Sequence, residues 1–160
     1  MDKFIAFALP LLICLSLISC NGPDFDTSWH VHHGSIHADD PASKQIKPGE
    51  DSWRFVREAV PGEELPNGKK AGDYDLLWEW RMELTNISDM PWQIKTRFFL
   101  VTLDNVQISV SESPPEKDKW TVLEPGEKKL FTEQAFIDKK YISRIAKGRG
   151  LVGKQPVEDK

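Results

Sequence analysis

Apolar and polar residues alternate most regularly between Tyr74 and Thr85. Tyr74, Leu76, Trp78, Trp80, Met82 and Leu84 fall on one face, and Asp75, Glu79, Arg81, Glu83 and Thr85 on the other, with Leu77 as the one apolar misfit. This period of two predicts an antiparallel strand with one face on a core. A helix would scatter the charges around its circumference. Asn86-Ile87-Ser88-Asp89-Met90-Pro91 has the composition of a turn. A second strand is predicted from Trp92 to Leu103. There Trp92, Ile94, Phe98 and Leu100 share one face, and Phe99, Val101 and Leu103 are apolar on the other. That pattern fits a central strand or a bulge near Thr96. After an Asp104-Asn105 turn, Val106, Ile108 and Val110 alternate with polar residues and predict a third strand.

Further strands are expected at Trp53–Val60, Trp120–Leu123 and Lys129–Gln134. Tyr141–Ala146 fits a strand or a helical turn, because Phe136, Ile137, Tyr141 and Ile145 also lie on one helical face. Pro-Gly-Glu occurs at Pro48, Pro61 and Pro125. The irregular spacing favours three type II turns at sheet ends over an internal repeat. Several short strands separated by turns predict an all-β antiparallel sandwich of about six to seven strands.

The sixteen residues Phe4–Ser19 are apolar, follow Lys3, and end in Leu17-Ile18-Ser19-Cys20. The run has the length of a signal h-region and falls short of the ~20 residues of a transmembrane helix. Its end resembles the lipobox of bacterial lipoproteins. The resemblance implies cleavage between Ser19 and Cys20 and a lipid on Cys20. Cys14 is the rival, but bulky Ile13 precedes it. Asn21 resembles the outer-membrane class, which implies a lipid-anchored protein of the cell envelope, on the outer membrane facing the periplasm. No other segment is apolar enough to span a bilayer, so the membrane contact expected is the lipid. With Cys14 removed and Cys20 lipidated, no thiol would remain for a disulfide or a thiolate metal site. The expected organisation is a signal peptide over 1–19, a lipidated N-terminus and polar tether over 20–50, a sandwich over 51–147 and a frayed polar tail over 148–160. About thirty flexible residues would span roughly 30 Å. Trp29, Val31 and Ile36 fit a short strand within that tether.

Three motifs carry a second resemblance: Leu84-Thr85-Asn86-Ile87-Ser88, Leu103-Asp104-Asn105, and Leu123-Glu124-Pro125-Gly126-Glu127 followed by Phe131. Their order over 74–146 is similar to the immunoglobulin-like FxLYD-type modules of bacterial lipoproteins. The chain departs from the naming motif, with Leu100, Thr102 and Leu103 where Phe, Leu and Tyr would stand. The resemblance implies an adaptor with no shared catalytic site.

Charge and rare residues narrow the chemistry. Twenty-one Lys and Arg against 25 Asp and Glu give a net charge of −4. With no basic stripe in view, nucleic acid is not an expected partner. Both glycine motif and carboxylates read as structural. Gly148-x-Gly150-x-x-Gly153 has Gln155 where a phosphate loop needs Ser or Thr, and Glu63-Glu64 and Glu79/Glu83 read as a loop and a solvated strand face. All four histidines, His30, His32, His33 and His37, lie in one eight-residue window. His30 and His32 would share a strand face, and His30, His33 and His37 a helix face, with Asp39 and Asp40 following as oxygen donors. This window is either a Zn, Cu or Ni site or a solvated linker. Its counterpart is a domain over 51–147 without histidine, so Ser-His-Asp and Cys-His mechanisms lack their base there. Among the aromatics, Trp78 and Trp80 are expected in the core, and Trp92 and Trp120 are the candidates for exposed binding aromatics. The reading is a non-catalytic envelope binding or scaffolding module, without cofactor and with a protein partner, docking at a sheet edge. The alternative is a metal-binding lipoprotein using the histidine window.

Overall fold

The computed structural model describes residues 25–33, 44–115 and 119–157. Ser19, Cys20 and His37 lie outside them. Two antiparallel sheets pack face to face as a β-sandwich. The first contains β1 (His30–His33), β2 (Ile46–Glu58), β3 (Asp75–Asn86) and β7 (Lys128–Asp138), in the order β1-β2-β3-β7. The second is built on β4 (Trp92–Thr102). β5 (Gln107–Ser113) and β6 (Thr121–Leu123) follow one another along one edge of β4, and β8 (Ile145–Pro156) covers the other. A six-residue 3-10 helix, Lys139–Arg144, carries the chain from β7 to β8. Among the described residues, no helix is long and apolar enough to cross a membrane.

The alternation on β3 does what its period demands. Leu76, Trp78, Trp80, Met82 and Leu84 are at most 1% exposed, while Tyr74, expected with them, is 76% exposed just before the strand. Phe98 of β4 stacks on Trp80 with centroids 5.5 Å apart and tilts against Trp78 at 6.1 Å. The Trp78 indole donates to Ser109 Oγ at 2.9 Å, and that hydroxyl reaches the Phe136 carbonyl at 2.9 Å. One chain of hydrogen bonds thus joins β3, β5 and β7 across the two sheets. β4 is the central strand of its sheet and is buried on both faces from Phe98 to Thr102. Its register shifts lie at Leu100–Thr102 and not near Thr96.

The expected tether is the first correction. Phe25 is buried and meets Phe55 edge-on at 5.8 Å, and β1 pairs with β2 from His30 opposite Trp53 to His33 opposite Glu50. β2 itself begins at Ile46, so Ile46–Glu50 belong to the sheet. Neither segment needs an alternating run, because a few apolar side chains docking on an existing sheet edge suffice. The short strand expected there is found at His30–His33, while Ile36 lies outside the described residues.

The expected tail is the second correction. Residues 145–156 form β8 and pair with β4 from Pro156 opposite Trp92 to Ile145 opposite Thr102. Tyr141–Ala146, open between strand and helical turn, divides between the 3-10 helix and the start of β8. The core face of β8 carries Gly148, Gly150 and Val152, all buried. A Cβ on Gly148 would stand 2.6 Å from the rings of both Phe98 and Trp53. The side chains that fill this space belong to the neighbours, so a hydropathy pattern has nothing to show.

Two of the three Pro-Gly-Glu triplets are turns. Glu63 N–H donates to Val60 O at 2.8 Å, Glu127 N–H donates to Glu124 O at 3.0 Å, and Gly62 and Gly126 take φ of 79° and 75°. Each glutamate also accepts from the first residue of its turn, Val60 N–H at 3.1 Å and Glu124 N–H at 2.9 Å. The third, at Pro48, is a register shift inside β2.

Asn86 ties the turn after β3 to the turn before β7. Its Nδ2 donates to Met90 O at 2.8 Å and Leu123 O at 2.9 Å, and Oδ1 accepts from Ser88 N–H at 3.0 Å. Its backbone exchanges hydrogen bonds of 2.9 Å with Gly126 and Glu127. Replacing Asn86 by Ala leaves two inward-facing carbonyls without this donor, so a loss of about 2–3 kcal/mol is expected in urea unfolding. Gly148→Ala forces Trp53 or Phe98 to move and should cost about 1–3 kcal/mol. Gly126→Ala is the contrasting case, since nothing stands within 4 Å of its Cβ and only the backbone φ is strained. A Gly148→Ala variant as stable as the parent would refute the close approach at β8.

Candidate functional site

The outer face of the second sheet carries an open groove of about 470 Å³. β4 contributes Lys95 and Arg97, β5 Glu112, and β8 Leu151 and Gly153, while Trp120, just before β6, forms an aromatic wall. Pairing places Lys95 opposite Gly153, and Arg97 opposite Leu151 on one side and Glu112 on the other. Gly153 keeps the wall close, as its Cβ position lies 3.7 Å from the Trp120 ring. Leu151 is 38% exposed and supplies apolar surface at the rim.

Arg97 Nε donates to Glu112 Oε1 at 2.6 Å, a second guanidinium nitrogen meets the same oxygen, and Lys95 Nζ is 3.5 Å from Oε2. Partial burial pushes the Glu112 carboxyl up. Hydrogen bonds and charge from Arg97 and Lys95 outweigh that and hold it below the usual carboxylate range. An anion so held is ionised at neutral pH and leaves one excess positive charge in the triad. Such a group suits charge recognition better than proton donation.

The two tryptophans singled out from sequence part company. Trp120 lines the groove. Trp92 packs half-buried against the core, its indole donating to Ser88 Oγ at 2.9 Å and its ring 4.2 Å under Lys154 Nζ. Trp92 is half-buried like Trp120, but it lies outside the groove with part of its ring against the core. Leu151 escaped sequence reasoning and Gly153 entered it only as the end of a chance glycine motif, because both lay in the expected tail. Their signal is faint: one Leu-Val pair among glycines and cations.

The histidine window is only partly in view. His30 stacks on Trp53 at 4.3 Å, with its Nε2 4.0 Å from Asp26 Oδ2. The backbones of His32 and His33 belong to β1. Among the described residues, no three His, Cys, Asp or Glu side chains are grouped to hold a metal. A second hollow, of about 500 Å³, lies on the outer face of the first sheet beside Trp29. Arg54 and Arg81 both meet that indole, at 4.6 and 4.3 Å from its centroid, and each also pairs with a glutamate, Glu79 or Glu50. The arginines of both hollows pair with glutamates, and the Trp120 groove differs in presenting exposed Leu151 and an Arg97 that is largely exposed.

No family model matches the chain, and no curated protein matches it. Among solved structures, a conserved hypothetical protein from Bacillus anthracis is 16% identical, with 84% of this chain and all of that one aligned at a TM-score of 0.43. A DUF1425 family member from Shewanella is 9% identical, over 69% of this chain and 82% of that one, at 0.32. A structural-genomics target is 11% identical, over 60% of this chain, at 0.40, and the chain spans only 65% of its length. Likeness at this level carries no functional argument.

The Glu112 triad gives a pH test. A carboxyl with a lowered folded pKa contributes stability above its ordinary value of 4.5 and loses it as pH falls through the folded value. The stability gap between the parent and Glu112→Gln is therefore expected to stay level above about pH 5 and to narrow on further acidification. Urea midpoints across that range measure it, and a gap that widens in acid contradicts the assignment.

Proposed function

We propose that this chain is a lipid-anchored, non-catalytic binding module of the cell envelope, and that an envelope protein partner docks in the Trp120 groove. The observation that carries the reading is the groove itself. It joins an aromatic wall, exposed Leu151 and the Lys95–Glu112–Arg97 triad on rigid strands. That mixture of a half-buried aromatic wall, apolar rim and oriented charge is what protein partners recognise. The strands hold the residues in place, so little ordering entropy is lost on binding.

The anchor reading rests on Leu17-Ile18-Ser19-Cys20 and its likeness to bacterial lipoproteins. The FxLYD-type reading gains support from Asn86, which brings the Asn-x-Ser turn against the Leu-x-Pro-Gly-Glu turn 37 residues away. In that reading both motifs serve one end of the sandwich. A divalent metal on the histidine window has less support, because the His30 ring is already stacked on Trp53.

The test is a photo-crosslinking amino acid at Leu151 in living cells, with Leu130 on β7 as the control position, 55% exposed. A discrete adduct from position 151, lost in Trp120→Ala and absent from position 130, is the expected result. Equal adducts at both positions, or an adduct indifferent to Trp120, would sink the groove. The mass of the membrane-extracted chain tests the anchor separately, and an unmodified Cys20 would remove it.

A further inference from the structure

We infer that the first half of β8 is a second membrane contact, docking Lys147 and Arg149 on the anionic headgroups of the bilayer. From Lys139 to Val157 the chain holds six Lys and Arg and no Asp or Glu, against a net charge of −4 for the whole. The fold pairs Lys139 with Glu58 and Lys140 with Asp138 and seats Lys154 over Trp92, with Lys147 and Arg149 the cations on the outer face of β8. Lys147 pairs with Val101 and Arg149 with Phe99, which places both on the outer face of the second sheet, at its edge strand. Arg144, at the end of the 3-10 helix, precedes them.

The position of the anchor selects the bilayer as occupant, and in this the inference rests on lipid at Cys20. Only five residue steps separate Cys20 from the buried Phe25, at most about 18 Å of chain. Phe25 rests on Phe55 at 5.8 Å, Phe55 on Trp53 at 5.4 Å, and Trp53 lies over Gly148, between the two cations. Phe25 thus packs at the side of the sandwich where Trp53 meets β8, and a lipid on Cys20 would lie within that reach of it. A domain held this close meets the surface with that edge. Basic residues beside an anionic surface each change partitioning about fivefold. The Trp120 groove follows along the same face of β8, its rim at Leu151 about 7 Å beyond Arg149 and its Gly153 end about 20 Å from Lys147 by strand rise.

The experiment uses residues 20–160 with Cys20→Ser, which contains every described residue, and vesicles of phosphatidylcholine with or without 30% phosphatidylglycerol (about one lipid in three anionic, the range in which surface charge acts). Co-sedimentation at low salt should show binding to the anionic vesicles alone. Joint reversal by Arg144→Glu, Lys147→Glu and Arg149→Glu should weaken it at least about tenfold. Reversal of Lys128 and Lys129 on β7, at the opposite edge, should change it less than about twofold. Thermal melts identify any variant that fails to fold, and Lys147→Gln with Arg149→Gln then replaces it, with an intermediate loss expected. Equal binding to neutral vesicles, or equal loss from both sets of reversals, overturns the inference. So does tighter binding to a polyglutamate peptide than to vesicles, which would make the edge a protein site. No arm uses the lipid, so this result and the mass of Cys20 can fail independently.

Discussion

Gly148 is where the sandwich closes. Trp53 reaches it from one sheet and Phe98 from its own, and both rings occupy the space a Cβ would need. Because β8 is bare there, it lies flat against the core edge and covers the long open side of β4. Much else follows from that approach. It gives the second sheet its far edge, sets Leu151 and Gly153 beside Trp120, and turns Lys147 and Arg149 outward. A larger residue would separate the sheets at the point where the large aromatic side chains of both meet.

The chain announces its centre and conceals its margins. β3 was legible because six alternating apolar positions leave one interpretation, and β4 because its two apolar faces require cover on both sides. Turns were legible where Pro presets one dihedral and Gly accepts the other, at Gly62 and Gly126. The same triplet at Gly49 was misleading, since the residue sits within a strand where sheet pairing decides the backbone. β1 and β8 were illegible for opposite reasons. β1 depends on contacts with a sheet already formed, and β8 contributes glycine where its neighbours supply the bulk. The site inherits this division. Trp120 was visible as an aromatic beside a charged loop, but the floor it stands over belongs to the concealed strand.

The two faces of the molecule have different electrostatic economies. On the first sheet, Arg54, Arg57 and Arg81 each meet a glutamate, so charge there is largely internal. On the second, one glutamate serves both Lys95 and Arg97 and lies one residue from the end of β5. The acidic total of the chain therefore says little about what either face attracts. Recognition at close range follows local excess, because charges more than about 8–10 Å apart are largely screened in salt.

The hub at Asn86 imposes an order of assembly. Its side chain is satisfied by Leu123, and β4 gains its second full neighbour only when β8 is in place. A chain made from its N-terminus delivers β3 and β4 early, and their closing partners tens of residues later. In that interval β4 is a strand apolar on both faces with an uncovered edge, the kind of segment that pairs with strangers. Escort during emergence, or swift release of the final strand, thus matters more to this protein than to one whose sheets close in the order they are made.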